Sequence, residues 1–208
     1  MAPLSFNVIG FTFVKRMKAL YESYRVAAKE LTISLGAKVR QLEDYKLGVT
    51  NGSPPIEERD EDGYLLWSQE QVLELDIDAI NDALHGLRNS FAIAVFHAWE
   101  ASIQMQSRFK AGEKATIKSY NELVKAASLM NIQVQPELRK ICTLVNLLKH
   151  QNPILGKKLA SQWPEVLPSN VATGINVDWY EVVRLSDADM EFVFDIVSKS
   201  GPDVGLTA

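Results

Sequence analysis

The chain has 208 residues and 47% hydrophobic content, enough to build one sizeable core. Its net charge of −4 excludes a broadly basic nucleic-acid surface, though not a local basic groove. The single cysteine, Cys142, excludes an intrachain disulfide and fits a reducing cytoplasm, where we expect the protein to work.

No apolar run approaches the ~20 residues of a membrane span, so no membrane contact is expected. Apolar residues 4–14 precede Lys15 and Arg16, the reverse of the charge order of a secretory leader. Residues 11–47 read as a long helix, because Leu20, Tyr24, Ala27, Leu31, Leu35 and Leu42 recur near helical spacing. Gly36 marks a place for a kink or a split. Residues 48–55, GVTNGSPP, have loop chemistry, and the acidic run 57–62, EERDED, reads as its solvated continuation.

Ser68 with Gln71 makes a capping box. The helical pattern it opens lasts to about residue 110. Leu84, Leu87, Phe91, Ala94, Ala98, Ser102, Met105 and Phe109 share one side, while Ile93, Phe96 and Ile103 line another. A helix apolar on two sides is central in its bundle. Residues 111–113 form a break, and 116–130 a shorter amphipathic helix with Ile117, Tyr120, Leu123, Val124 and Ala127 inward.

Residues 136–153 form the next helix, bracketed by prolines, with Pro136 at its first position and Asn152-Pro153 at its stop. At about 100° per residue, Ile141, Leu144, Val145 and Leu148 make an apolar wall. Arg139, Thr143, Asn146 and His150 fall within roughly 60° of each other on the opposite side, flanked by Cys142 and Lys149. This stripe is either a solvated helix face or a site. Thr and Asn are poor helix formers, so propensity does not explain them there. Cys142, mid-helix, reads as a packed side chain rather than a nucleophile.

Residues 154–163 add one or two turns, ended by Pro164, and 168–174 form a loop. Residues 176–185 have β character, a small hairpin or an extended arm. Ser186 caps a last helix over 187–199, stopped by Gly201-Pro202. The expected fold is all-α, a helical bundle of four to five main helices in one domain over 1–202, with a loose tail at 203–208.

No phosphate loop, Cys-x-x-Cys or His-Glu-x-x-His occurs, and no cofactor or metal is expected. His97 and Glu100 lie one turn apart. They read as a hydrogen-bonded pair at the edge of the core, or as part of a polar site shared with His150. His85 reads as structural or exposed.

Residues 96–103, FHAWEASI, resemble the His-x-Trp/Phe-Glu helix of a bacterial family of helical proteins. In that family a later Leu-Arg…Asn-x-x-Lys-His segment precedes a short Lys-rich stretch and an Arg/Trp-Pro-Glu/Asp sequence. Leu138-Arg139, Asn146 with Lys149-His150, Gly156-Lys157-Lys158 and Trp163-Pro164-Glu165 match these, so the resemblance spans about residues 90–168. The family is similar to HEPN domains, all-α bundles that often act as RNA-cleaving toxins or defence effectors.

The resemblance implies an RNA- or nucleotide-binding protein. His150 would be its general acid/base, Arg139 or Lys149 would stabilise phosphate charge and Asn146 would orient, with Thr143, His97 and Glu100 among the binding residues. Active HEPN ribonucleases place an Arg before the His with four to six residues between. The corresponding positions before His150 are Val145, Leu144 and Thr143, so that pattern is absent. The second expectation is therefore a non-catalytic helical interaction module, the partner or neutralising component of a toxin or defence system from the same operon. A homodimer is expected, because HEPN-like domains commonly pair and the helix ending at Lys110 is apolar on two sides.

Overall fold

The computed structural model describes residues 7–111, 117, 119–168 and 177–205. The elements are α1 (Val8–Thr50), β1 (Glu57–Arg59), β2 (Leu65–Ser68), α2 (Gln69–Ala111), α3 (Tyr120–Leu129), α4 (Leu138–His150), α5 (Pro153–Gln162), a 3-10 turn at Pro164–Val166, α6 (Trp179–Val182) and α7 (Asp187–Lys199). The protein is all-α apart from one two-stranded hairpin among the described residues. It divides into two compact units: residues 24–87, and residues up to 23 together with those from 88 onward.

The 24–87 unit is two antiparallel helical stretches with the hairpin at their turn. On α2, Leu73, Ile77, Ile80 and Leu84 follow a four-three-four spacing, the repeat of a helix–helix seam. Leu73 and Leu84 are buried there, as are Tyr24 and Ala28 of α1. Ion pairs cross the two helices in opposite order along them: Lys38 to Asp76 at 2.7 Å, and Lys46 to Glu70 and Glu74 at 3.0 Å each. Gly36 does not divide α1 into separate helices.

The acidic run is not all loop. Glu57–Arg59 pair antiparallel with Leu65–Ser68. The turn between them is set locally. Asp60 Oδ1 accepts from the Asp62 and Tyr64 N–H groups, and Gly63 takes φ 84°, which favours glycine. The capping box at the start of α2 forms as expected: Ser68 Oγ accepts from Gln71 N, and Gln71 Oε1 from Ser68 N.

The other unit is organised around α4, which touches α5, α6 and α7. Leu138, Ile141, Cys142, Thr143, Leu144, Val145, Leu147 and Leu148 of α4 are all buried. The expected wall therefore extends most of the way around the helix, taking in Leu147 and Thr143 and leaving a strip at Arg139, Asn146 and His150. On α2 the buried face is Ala92, Val95, Phe96, Ala98, Trp99, Ser102 and Ile103. Met105 and Phe109, expected inward, are 57% and 86% exposed. Among the described residues nothing packs over this last stretch of α2 closely enough to cover them.

Three chain stretches differ from expectation. Pro153 opens α5 instead of only closing α4: Gln151 takes a left-handed conformation at φ 53°, and Asn152 caps the next helix by accepting from Ile154 N. The described part of 176–185 is a helical turn rather than a β arm. Asp178 Oδ1 accepts from Tyr180 N and Glu181 N, and this cap outweighs the β preference of the Val and aromatic residues. Asp203, in the expected loose tail, is bonded through its carbonyl to Asn7 Nδ2 at 3.1 Å. The break at 112–113, the loop at 169–174 and the tail at 206–208 lie outside the described residues.

Polar bonds tie the ends of this unit together. Trp99 Nε1 donates to the Ser200 carbonyl at 2.7 Å, and Ser200 Oγ accepts from Gln135 N at 3.0 Å. Trp179 N donates to Gln151 Oε1 at 2.8 Å. The Trp179 ring lies so close to Gly156 that a Cβ there would overlap its six-membered edge. Gly156→Ala should therefore destabilise by about 1–3 kcal/mol. In a thermal melt that is a fall of roughly 3–10 °C. An unchanged melt would mean that Trp179 moves aside without cost.

Candidate functional site

The polar residues of α4 separate into two groups. In the first, Arg139 is exposed. Its guanidinium carbon sits 5.8 Å from the centre of the Tyr120 ring, and its Nη1 donates to Asn121 Oδ1 at 3.3 Å. Both partners come from α3. Thr143 is 3% exposed, and its hydroxyl donates to the Arg139 carbonyl one turn back at 3.0 Å. Asn146 is half-buried and donates from Nδ2 to Cys142 Sγ at 3.3 Å. These bonds to residues four positions earlier supply what propensity could not: each polar side chain finds a partner on its own helix. Thr143 is thus enclosed, not part of a solvated stripe.

His97 Nδ1 and Glu100 Oε2 are 2.7 Å apart on α2, the pair read from their spacing. The Glu100 charge is felt at Cys142, whose thiol is pushed up to about 11. Burial is the main cause, and Glu100 adds to it. Lys158, Arg139 and the Asn146 hydrogen bond oppose it. Tyr120 is pushed up to about 12, first by burial and then by Cys142, against Arg139. Residues of α2, α3, α4 and α5 therefore act on one another around a thiol that stays protonated at neutral pH. Such a thiol is not a nucleophile.

The second group is Lys149 and His150, the last two residues of α4. Both are exposed, and neither side chain makes a hydrogen bond or ion pair among the described residues. At 1.5 Å per residue, His150 lies ~16 Å along the helix axis from Arg139. The stripe read as one site is thus a group bonded within the protein near Cys142, with only Thr143 and Cys142 buried, and an open pair at the helix end.

Counting carboxylates would have revealed a wider feature. Between Glu137 and Glu165 there is no Asp or Glu, while Arg139, Lys140, Lys149, Lys157 and Lys158 all fall there with His150. Lys157 and Lys158 are exposed on α5, which begins three residues after His150. Lys140 is already engaged, its Nζ 4.3 Å from the centres of both the Trp163 and Phe192 rings. A separate open groove of about 440 Å³ runs beside α1 and α7, lined by Phe13, Met17, Tyr21 and Phe194 among others. None of the residues singled out from the sequence lines it.

Among the described residues, no group of three His, Cys, Asp or Glu is placed to hold a metal ion. No helix there is long and apolar enough to cross a membrane. The chain gives no significant match to any protein family, curated protein or solved structure with which it was compared. What the fold itself defines is an all-α protein.

The buried thiol has two measurable consequences. Cys142 should resist thiol reagents at pH 8 in the folded protein and react stoichiometrically in denaturant. Its ordinary ionisation is near 8.5, so as pH rises from about 9 towards 11 the unfolded chain releases a proton that the folded chain keeps. Stability should fall across that window. The fall should be shallower in Cys142→Ala, as read from denaturant midpoints at each pH.

Proposed function

We propose that the chain is a HEPN-like protein that binds RNA or a nucleotide, with the exposed surface of α4 and α5 holding phosphate groups. The observation that carries this reading is the run without carboxylates between Glu137 and Glu165, five lysines and arginines plus His150, in a chain of net charge −4. Lys149, Lys157 and Lys158 supply exposed point charges for phosphate. His150, beside Lys149, is the candidate general acid/base for cleavage, as a toxin or defence effector would require. Arg139 stacks on Tyr120 too far along α4 to share that role within one subunit. In this reading it contributes to binding, with Thr143 and Asn146 supporting the helix around it.

A second reading, a non-catalytic interaction module partnering or neutralising a toxin or defence protein, is favoured by the overall negative charge and by the missing Arg before His150. Single-stranded RNA binding measured across salt concentrations separates the two. Lys149→Ala and Lys157→Ala should each weaken binding and reduce the slope of log affinity against log salt by about 0.7. His150→Ala should abolish any RNA cleavage and growth inhibition while costing only about 0.3–1 kcal/mol of stability. Wild-type protein that neither binds nor cleaves RNA would overturn the first reading and leave the interaction module.

A further inference from the structure

The open groove beside α1 and α7 combines two chemistries in its walls. Its floor is Phe13, Met17 and Phe194, which are 3%, 4% and 4% exposed. These are core side chains, so the floor is part of the packed interior and is formed before anything binds. Phe13 is held further by Gly201, where a Cβ would overlap the Phe13 ring. Tyr21 adds an aromatic wall and meets Phe194 edge to face, their ring centres 5.2 Å apart. The volume of about 440 Å³ falls within the ~300–1,000 Å³ of small-molecule sites.

The rim carries charge that is unevenly matched. Lys18 has Glu22 one turn on at 3.7 Å, and Asp195 has Lys199 at 2.8 Å. Glu191 is exposed at the rim and has no cationic partner among the described residues. Its two oxygens lie 2.8 and 2.7 Å from the Tyr21 hydroxyl. A phenol has one proton to give, so it satisfies one carboxylate oxygen at a time and leaves the charge uncompensated. A tie between two helices would explain the Tyr21–Glu191 bond alone, but not the apolar cavity that shares its residues.

Charge selects the occupant. An anion meets Glu191 and Asp195 together, which disfavours phosphate groups here. A neutral apolar molecule would cover the carboxylate without replacing the water it loses. A small organic cation suits both halves of the groove. Its apolar body lies on Phe13, Met17 and Phe194, and its ammonium group meets Glu191 beside the Tyr21 ring. We infer that this groove is a binding site for a small hydrophobic ammonium ion, an aryl- or alkylamine in its protonated form. No residue of α4 or α5 lines it, so the inference stands apart from the RNA-binding reading.

Titration of the full chain with phenethylamine, protonated at neutral pH, tests it. Phenethyl alcohol and phenylacetate serve as comparisons that keep the ring and change the charge. Calorimetry reads the affinity, and the methyl NMR signal of Met17 reads the location. The amine should bind about tenfold more tightly than the alcohol or better, and phenylacetate should not bind. Added salt should weaken the amine and leave the alcohol unchanged. Glu191→Gln, whose amide oxygen can still accept from Tyr21, should bring the amine down to the affinity of the alcohol. Glu165→Gln, outside the groove, should change nothing. In case Glu191→Gln disturbs the contact between α1 and α7, Val14→Trp provides a second arm. From an exposed position on the groove it fills the space, and it should abolish binding of amine and alcohol alike with an unchanged thermal melt. An amine that fails to bind, that binds no better than its uncharged or anionic counterpart, or that leaves the Met17 signal in place would overturn the inference. So would an amine held as tightly by Glu191→Gln or Val14→Trp as by wild type.

Discussion

Eight buried side chains on a helix of thirteen residues leave α4 without a broad solvent face. A helix in that position must be surrounded, and α5, α6 and α7 do the surrounding. The order of these elements follows from the constraint. The link from α4 to α5 turns within two residues, with Gln151 left-handed and Asn152 capping, so α5 folds back onto the helix it has just left. Gln151 then holds the Trp179 N–H, which brings α6 against the same corner. Gly156 is small where the Trp179 ring arrives.

Enclosure also decides the chemistry of the polar residues. Thr143, Asn146 and Cys142 satisfy one another or their own backbone, and the thiol is kept protonated. These groups look arranged because they are locally bonded, a structural reason for residues that propensity disfavours. Lys149 and His150 lie at the end of the helix, where burial stops. Exposed cationic groups without a described partner are there and on the neighbouring turn of α5, whereas exposed Arg139 already has Tyr120 and Asn121.

Much of this was legible in the sequence where the signal is local. The Ser68–Gln71 box and the Ser186 cap fix two helix starts, and the His97–Glu100 spacing gives a real pair. What was not legible depends on neighbours. A helical wheel assigns Thr143 to a polar face, but which faces are wet is settled by how many helices arrive. Met105 and Phe109 continue an apolar pattern beyond the point where any described residue covers it. The hairpin escaped notice because Glu and Asp disfavour strands, and its pairing rests instead on the Asp60 turn and on Leu65–Ser68 across from it. Arg139's partners, Tyr120 and Asn121, are nearly twenty residues away along the chain, beyond any periodicity argument.

The unequal edges of that hairpin bear on how far any assembly can grow. A strand that accepts a neighbour on one side ordinarily offers its sheet's other side to the next, which is how fibrils propagate. β2 is neutral and apolar, but β1 presents Glu57, Glu58 and Arg59, so a further strand arriving there meets charge that it would have to strip of water. The carboxylates that seemed only to solubilise a loop therefore also disfavour the addition of a strand on the β1 side, and replacing them with apolar residues should raise the tendency of the hairpin to polymerise.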